Sequence, residues 1–256
     1  MKIILRKIKY FIKYYFPRLV LIYKSSKSKI SFIDYLYDIK KLSANSNLKI
    51  NLSKKPIIFD VGTNIGNSAI ILKSHFKNSD IHCFEPIKKT YEILKKNLSN
   101  YTDIKINNLA LGPEKSSEQY MHIFKHSNLI SNFHKTTQLT AKNADIDKEK
   151  VKTINLDQYC IDNKIEEIDI LRIDVNGYEI SVLKGARYLL KNQKIKFIHF
   201  SFYNVNTKDH VGDLNKISNC LEDNKYRLGI FYNDFIHNER NGGYYFATYF
   251  ISNLNS

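Results

Sequence analysis

The stretch FDVGTNIGNS at residues 59–68 places two glycines, an aspartate and two asparagines between two apolar runs. The run before it, PIIFDV (56–61), is typical of a buried strand, and the run after it, AIILKSHF (69–76), is typical of a helix. Glycines let a backbone turn tightly and approach a ligand closely. Asn67 or Ser68 can cap the helix, whose free amides and dipole favour an anionic group. The stretch therefore predicts a strand–turn–helix unit that binds a ligand at its turn.

Beyond this unit, short apolar runs alternate with helical segments. Such alternation predicts an α/β fold with a mostly parallel sheet, right-handed crossovers and helices on both faces. The last two runs have no helix between them and predict a C-terminal antiparallel hairpin. The expected strands are 56–61, 80–85, 104–111, 168–175, 195–203, 226–232 and 243–251, and the later helices are 88–98, 178–190 and 213–223.

Residues 113–152 interrupt the alternation with a long polar segment. A segment of that length inside a compact domain is more often functional than inert. We therefore expect an insertion that lies over the edge of the sheet or over the active site.

The N-terminal region differs in charge from the rest of the chain. The formal net charge is +15, and residues 1–30 hold nine basic residues and no acidic one. Apolar side chains in residues 1–22 recur at helical spacing between Lys and Arg, which indicates an amphipathic helix. Such a helix binds an anionic membrane surface, or it packs on the main domain or on a second copy of it. We accordingly divide the chain into a basic helical arm, residues 1–50, and a main domain, residues 51–256.

An acidic residue, Glu85, ends the second predicted strand, 19 residues after Gly66. At this position a carboxylate can accept hydrogen bonds from both hydroxyls of a ribose, so the turn and Glu85 predict a nucleoside-bearing ligand. A dinucleotide fingerprint would have glycine where this chain has Asn64, whose side chain would crowd a pyrophosphate. No GxxxxGK[ST] motif is present, which excludes ATP on a P-loop. S-adenosylmethionine fits better, with its ammonium at Asp60 and its ribose at Glu85, and an NAD(P)-dependent oxidoreductase is the alternative.

Five motifs resemble, in this order, the FkbM-type methyltransferases. They are DVGTNIGNS (60–68), FEP (84–86), NLALG (108–112), TINLDQY (153–159) and IDILRIDVNGYEISVLKGA (168–186). The resemblance covers roughly residues 56–200 and implies a Rossmann-like class I methyltransferase fold in residues 51–256. It also implies transfer of a methyl group from S-adenosylmethionine to a hydroxyl, often on a sugar or a polyketide-type product. By this resemblance, the cofactor-binding residues are Asp60, Gly62, Asn64, Gly66, Glu85, Ala110 and Leu111.

The acceptor side departs from the family pattern at two places. Asn176 stands where the family usually has Glu, and the stretch FIHFSFY (197–203) lacks the acidic residue that is common there. A cofactor-binding module without activity is therefore a further alternative. The favoured acceptor is a hydroxyl on a sugar of a surface polysaccharide or related glycan.

Methyl transfer to a hydroxyl benefits from a group that removes or orients its proton. Asp174, at the end of the fourth predicted strand, is the first catalytic candidate. Arg172 lies two residues away on the same strand face. A nearby cation favours the carboxylate form of Asp174 and weakens it as a base, so orientation of the acceptor is its larger role. Glu179 and His199 are further catalytic candidates, and the alternatives for them are a helix cap and a packed core histidine.

The histidines, the cysteines and the basic residues do not follow the patterns of metal sites, disulfide frameworks and nucleic acid binding. The histidines show no metal-like spacing, so we expect no metal. The three cysteines are isolated and favour a reducing, cytoplasmic setting, with peripheral attachment to the inner face of the membrane through residues 1–22 as an option. No basic–aromatic interleaving occurs in the core, so we expect no nucleic acid partner, and the oligomeric state is left open.

Overall fold

The computed structural model describes residues 31–44, 50–124, 131–132, 146–203, 214–236 and 243–251. The helices are α1 (Ser31–Ser43), α2 (Asn67–His75), α3 (Lys88–Asn97), α4 (Leu156–Asp162), α5 (Glu179–Lys184), α6 (Arg187–Lys191) and α7 (Leu214–Asp223). The strands are β1 (Ile57–Val61), β2 (Asp80–Phe84), β3 (Ile104–Asn107), β4 (Ala110–Leu111), β5 (Ser116–Phe124), β6 (Ser131–Asn132), β7 (Ile146–Ile154), β8 (Ile168–Ile173), β9 (Ile195–Tyr203), β10 (Tyr226–Ile236) and β11 (Gly243–Ile251).

Seven strands form one sheet in the order β3-β2-β1-β8-β9-β11-β10. Strands β3, β2, β1, β8 and β9 run parallel, and β11 is antiparallel to both of its neighbours. This topology confirms the Rossmann-like class I fold and the C-terminal antiparallel hairpin. Strand β1 pairs with β2 on one side and with β8 on the other, so the strand order reverses there. A ligand of an open parallel sheet binds beyond the carboxyl ends of the strands at such a reversal.

The sheet is covered on both faces, which explains its near-continuous apolar strands. All six residues of β8 are buried, and successive side chains face opposite sides. On one face, Leu171 packs with residues beneath α4 to α7. On the other face, Ile170 packs beneath α1, α2 and α3.

Helix α1 belongs to the core although it lies in the predicted N-terminal arm. Tyr35, Leu36 and Ile39 are fully buried and pack in the same cluster as Ile170. Residues 1–30, which carry the basic helix prediction, lie outside the described residues. The domain boundary at residue 50 stays a prediction.

The described strands of the predicted insertion belong to a second sheet, in the order β4-β7-β5-β6, which β4 joins from just before the insertion. Its main pair is the antiparallel hairpin of β5 and β7, which pairs Ser116 with Ile154 and Phe124 with Ile146. The prediction of one strand over 104–111 was wrong, because the chain leaves the large sheet after Asn107 and enters the second sheet at Ala110.

The prediction of one helix over 178–190 was also wrong, because α5 ends at Lys184 and α6 begins at Arg187. At the break, a Cβ on Gly185 would lie 2.1 Å from the carbonyl oxygen of Gly112, so the backbone of Gly185 packs directly against the backbone of Gly112. Helix α4 was not predicted. Asn155 caps it by accepting a hydrogen bond from the amide of Gln158. Within the described ranges, no helix has the length and apolar character needed to cross a bilayer.

Candidate active site

The turn after β1 adopts left-handed backbone at three positions. The φ angles are 81° at Gly62, 55° at Asn64 and 100° at Gly66. A Cβ on Gly62 would lie 2.1 Å from the carbonyl oxygen of Asp174, and the amide of Asp174 donates to Val61 at 2.9 Å. The carboxyl ends of β1 and β8 therefore meet backbone to backbone, and only glycine fits between them.

Hydrogen bonds hold this turn against the end of β2. The amides of Gly62 and Thr63 both donate to the carbonyl of Phe84 at 3.1 Å. The hydroxyl of Thr63 accepts from the amide of Phe84 at 3.2 Å. The amide of Asn64 donates to Oε2 of Glu85 at 3.1 Å. The turn is thus shaped by the strand that carries Glu85.

Neither predicted residue caps helix α2. Gly66 occupies the cap position, and no side chain accepts a bond there. The hydroxyl of Ser68 instead donates to Oδ2 of Asp60 at 2.5 Å. The capping prediction for Asn67 and Ser68 was therefore wrong, because the helix begins at Asn67 and the Ser68 hydroxyl bonds Asp60.

Glu85 is 5% exposed and lies at the end of β2. Its Oε1 accepts a hydrogen bond from the amide of Ile87 at 3.0 Å. Burial raises the pKa of Glu85 to about 7, although the amides of Ile87 and Asn64 oppose the rise. The carboxyl group is therefore held in one orientation and changes charge close to neutral pH.

A pocket opens where β1, β2 and β8 end. Six of the predicted site residues line it: Gly62, Asn64, Glu85, Ala110, Leu111 and Asp174. The other predicted residues, Asp60, Gly66, Glu179 and His199, are not among its lining residues. The structure thus brings together one part of the predicted site and places the other part behind it.

Behind the pocket, Arg172 joins two carboxylates. Its Nη1 lies 2.8 Å from Oδ1 of Asp60, and its Nη2 lies 2.6 Å from Oδ2 of Asp174. Asp60 is fully buried, whereas the side chain of Asp174 is 23% exposed. The expected proximity of Arg172 and Asp174 is confirmed, and Asp60 is a second partner that strand spacing did not predict.

Glu179 is fully buried beneath the loop that follows β8. Its Oε1 accepts from the amides of Val175 and Gly177 at 3.1 and 3.2 Å and from the hydroxyl of Ser201 at 3.0 Å. Burial raises the pKa of Glu179 to about 7. These contacts favour support of the loop. The predicted catalytic role of Glu179 stays a prediction.

His199 is also buried, under helix α1. Its ring stacks on Tyr35 with a centroid distance of 3.7 Å and an interplanar angle of 15°. Burial, followed by the charge of Arg172, lowers the pKa of His199 well below its usual range. The imidazole is therefore neutral, and its position favours packing over proton transfer. Its predicted catalytic role stays a prediction.

The pocket also contains residues that sequence reasoning did not assign to it. Phe84, Leu109 and Met121 supply apolar surface. Tyr178 lines the pocket as well, and its hydroxyl donates to Oε1 of Gln119 at 3.3 Å. Phe84 and Leu109 lie inside quoted motifs and could have been found there, whereas no sequence signal marks Met121 in the insertion.

The chain is similar to proteins that are named as methyltransferases. The chain is 26% identical over 183 residues to methyltransferase sdnD of Sordaria araneosa, covering 60% of this chain and 66% of that protein. It is 28% identical over 142 residues to the hexuronic acid methyltransferase AglP of Haloferax volcanii, covering 56% of this chain and 54% of that protein. The chain thus spans less than two thirds of the length of either relative.

Among solved structures, M. capricolum TrmK in complex with S-adenosyl-homocysteine is similar, with 15% identity, 86% of this chain and 68% of that chain covered, and a TM-score of 0.44. The fold of the chain is assigned from its own strand order and not from this similarity. The family model of the methyltransferase FkbM domain matches residues 60–228. Because this match covers more than half of its residues, the chain belongs to the FkbM methyltransferase family.

Proposed function

We propose that the chain transfers the methyl group of S-adenosylmethionine to a hydroxyl on a sugar of a surface polysaccharide or related glycan. The observation that carries this proposal is the pocket at the strand-order reversal, where the ends of β1, β2 and β8 place Glu85 and Asp174 in one lining. Membership of the FkbM family supports methyl transfer over the oxidoreductase alternative.

The residues of the pocket suit this cofactor. The Glu85 carboxylate is an acceptor for ribose hydroxyls, and it lies beside the turn whose amides are already fixed in place. Leu109, Ala110 and Leu111 provide apolar surface for a flat adenine ring. When bound, S-adenosylmethionine supplies an activated methyl group.

The chain itself has to align the acceptor and exclude water. Asp174 is placed for this task, because it is a partly exposed carboxylate in the pocket lining. A carboxylate at this position accepts a hydrogen bond from an acceptor hydroxyl and so orients its oxygen. Met121 and Val175 add apolar surface to the same pocket lining.

The glycan acceptor is supported by the Haloferax volcanii relative, which is named for hexuronic acid methylation. Sugar hydroxyls are weak nucleophiles at neutral pH, so orientation by a fixed carboxylate contributes to the rate. A polyketide-type hydroxyl is the second acceptor class that the family resemblance leaves.

Calorimetry with S-adenosylhomocysteine and transfer of labelled methyl groups to glycan and nucleic acid fractions test this function. We expect binding, label in the glycan fraction only, and a mass increase of about 14 Da per methylated sugar, the mass of one methylene unit. Absence of binding overturns the proposal. Binding without transfer to any fraction favours the inactive module suggested by Asn176. Glu85→Gln removes the charged acceptor for the ribose hydroxyls and should weaken binding of S-adenosylhomocysteine. Glu118→Gln, the same change at an exposed residue of β5, is the matched control and should leave binding unchanged.

Membrane attachment through residues 1–22 is proposed from sequence alone. Sedimentation with anionic liposomes tests it, using the full chain and a variant with Lys7→Glu and Lys9→Glu. The control carries Lys148→Glu and Lys152→Glu, which change the charge equally at exposed residues of β7. Loss of binding in the first variant alone supports attachment, whereas equal binding of all three proteins contradicts it.

A further inference from the structure

One buried guanidinium links the cofactor turn to the acceptor side of the pocket. Arg172 is 7% exposed and bonds Asp60 on β1 and Asp174 after β8 through different nitrogens. Asp60 and Arg172 are register partners in the parallel pairing of β1 and β8, so their side chains leave the sheet on the same face. The planar guanidinium uses separate nitrogens for the two carboxylates, with Nη1 at 2.8 Å from Asp60 and Nη2 at 2.6 Å from Asp174.

Asp60 does not line the pocket. It is fully buried, its Oδ1 accepts from Arg172, and its Oδ2 accepts from Ser68. A buried carboxylate is costly unless it is paired and hydrogen-bonded, and both conditions are met here. These contacts make Asp60 an anchor for the guanidinium, and its predicted ammonium-binding role stays a prediction.

Asp174 is the member of the group that reaches the pocket. One of its oxygens bonds Arg172, while its side chain is 23% exposed at the pocket wall. We infer that Arg172, held in place by Asp60, is a positioning residue that sets the orientation of the Asp174 carboxylate toward the acceptor hydroxyl. This inference rests on the proposed function for the identity of the acceptor.

The surroundings of Arg172 keep this arrangement away from water. His199 is its register partner on β9, and Tyr35 of α1 stacks on His199. Both Tyr35 and His199 are at most 1% exposed. In such a low-dielectric setting, charge-assisted hydrogen bonds hold a side chain more firmly than they would in water.

The variants Arg172→Lys and Arg172→Met test the inference in the wild-type and Asp174→Asn backgrounds. An ammonium keeps the charge but presents all its donors from one nitrogen, so it cannot reproduce the two separate bonds that Nη1 and Nη2 make at these positions. We expect Arg172→Lys to lower kcat by about 10²-fold, the scale of an ångström-sized misplacement, with the affinity for S-adenosylhomocysteine changed less than about threefold. In the Asp174→Asn background, the same change should have no further effect on kcat. Arg172→Met should lower kcat at least as much.

Lys196→Met is the matched control. It breaks a partly buried ion pair with Asp169 at 2.8 Å on β8 and β9, at the opposite end of the same strands. A structural loss alone would therefore lower stability in both variants but kcat only in proportion to the unfolded fraction. We expect kcat of the folded Lys196→Met protein to remain unchanged.

Two results overturn the inference. The first is that Arg172→Lys lowers kcat by the same factor in the wild-type background and in the Asp174→Asn background. The second is that Arg172→Lys lowers the affinity for S-adenosylhomocysteine by the same factor as kcat. Crystal structures of wild type and Arg172→Lys decide the question without any acceptor. A shift of the Asp174 carboxylate by about 1 Å or more supports positioning, and an unmoved carboxylate refutes it. Absence of S-adenosylhomocysteine binding by wild type overturns the proposed function, and this structural comparison still decides the role of Arg172.

Discussion

Replacing Gly62 by alanine tests how the strand ends that build the pocket are held together. An alanine Cβ would lie 2.1 Å from the carbonyl oxygen of Asp174, and the φ angle is 81°. The backbone conformation alone costs about 1–3 kcal/mol for a non-glycine residue. To restore an ordinary contact, the ends of β1 and β8 must also separate by about 1 Å, a strain of the overpacking type that costs about 1–3 kcal/mol. We expect Gly62→Ala to lower the free energy of unfolding by about 4 kcal/mol.

Two other glycines separate these contributions. At Gly185 a Cβ would lie 2.1 Å from the carbonyl oxygen of Gly112, but its φ angle of −83° is allowed for alanine. At Gly112 a Cβ would lie 3.7 Å from Tyr178, which is an ordinary contact. We therefore expect Gly185→Ala to cost about 1–3 kcal/mol and Gly112→Ala to change stability by less than about 0.5 kcal/mol.

Urea unfolding followed by far-ultraviolet circular dichroism measures all three variants, and calorimetry with S-adenosylhomocysteine measures their pockets. Because the clash separates β1 from β8, Gly62→Ala should weaken ligand binding even under conditions in which the variant is folded. A loss below about 1 kcal/mol for Gly62→Ala, or a loss no larger than that of Gly112→Ala, would refute the close-approach reasoning.

Three further predictions concern buried titratable groups. Glu85→Gln should weaken S-adenosylhomocysteine binding about tenfold or more, because it removes a charged acceptor. Calorimetry should also show that the affinity of the wild-type protein falls as the pH drops below about 7, where the Glu85 carboxyl gains a proton. An affinity of Glu85→Gln that does not change with pH would confirm the assignment. The pKa of Glu179 is raised from 4.5 to about 7 on folding, so the folded state holds the proton more tightly and stability declines as the pH rises between these values. Glu179→Gln should flatten that decline in urea titrations by as much as about 3 kcal/mol, and an unchanged slope would contradict the shift. His199→Phe should keep the stack on Tyr35 and kcat within about threefold, whereas a loss of about 10²-fold in a folded protein would restore a catalytic role for the imidazole.

Much of the large sheet is visible in the sequence. Residues 168–173 form a fully buried strand of six residues, and a run of that length bounded by polar residues is a local signal. The absence of a helix between β10 and β11 likewise indicated the antiparallel hairpin. Glu85 could be placed at the pocket because the carboxyl ends of neighbouring parallel strands share one edge.

Other features depend on contacts between distant residues. The helix predicted over 178–190 is broken at Gly185 because the backbone of Gly112 approaches it, and nothing near Gly185 in sequence shows that approach. Met121 enters the pocket from an insertion whose path is set by the pairing of β5 with β7.

The sequence by itself determined the alternation of strands and helices, the turn at residues 62–66 and the acidic residue at the end of β2, because each depends on spacing along the chain. The tertiary structure alone decided which carboxylate faces the pocket. Asp60 and Asp174 both lie at the ends of strands and both bond Arg172, which is 112 residues from Asp60 in sequence, but Asp60 is fully buried and Asp174 is partly exposed. The physical reason is that the partner of a buried charge is chosen by strand pairing, which sequence spacing does not reveal.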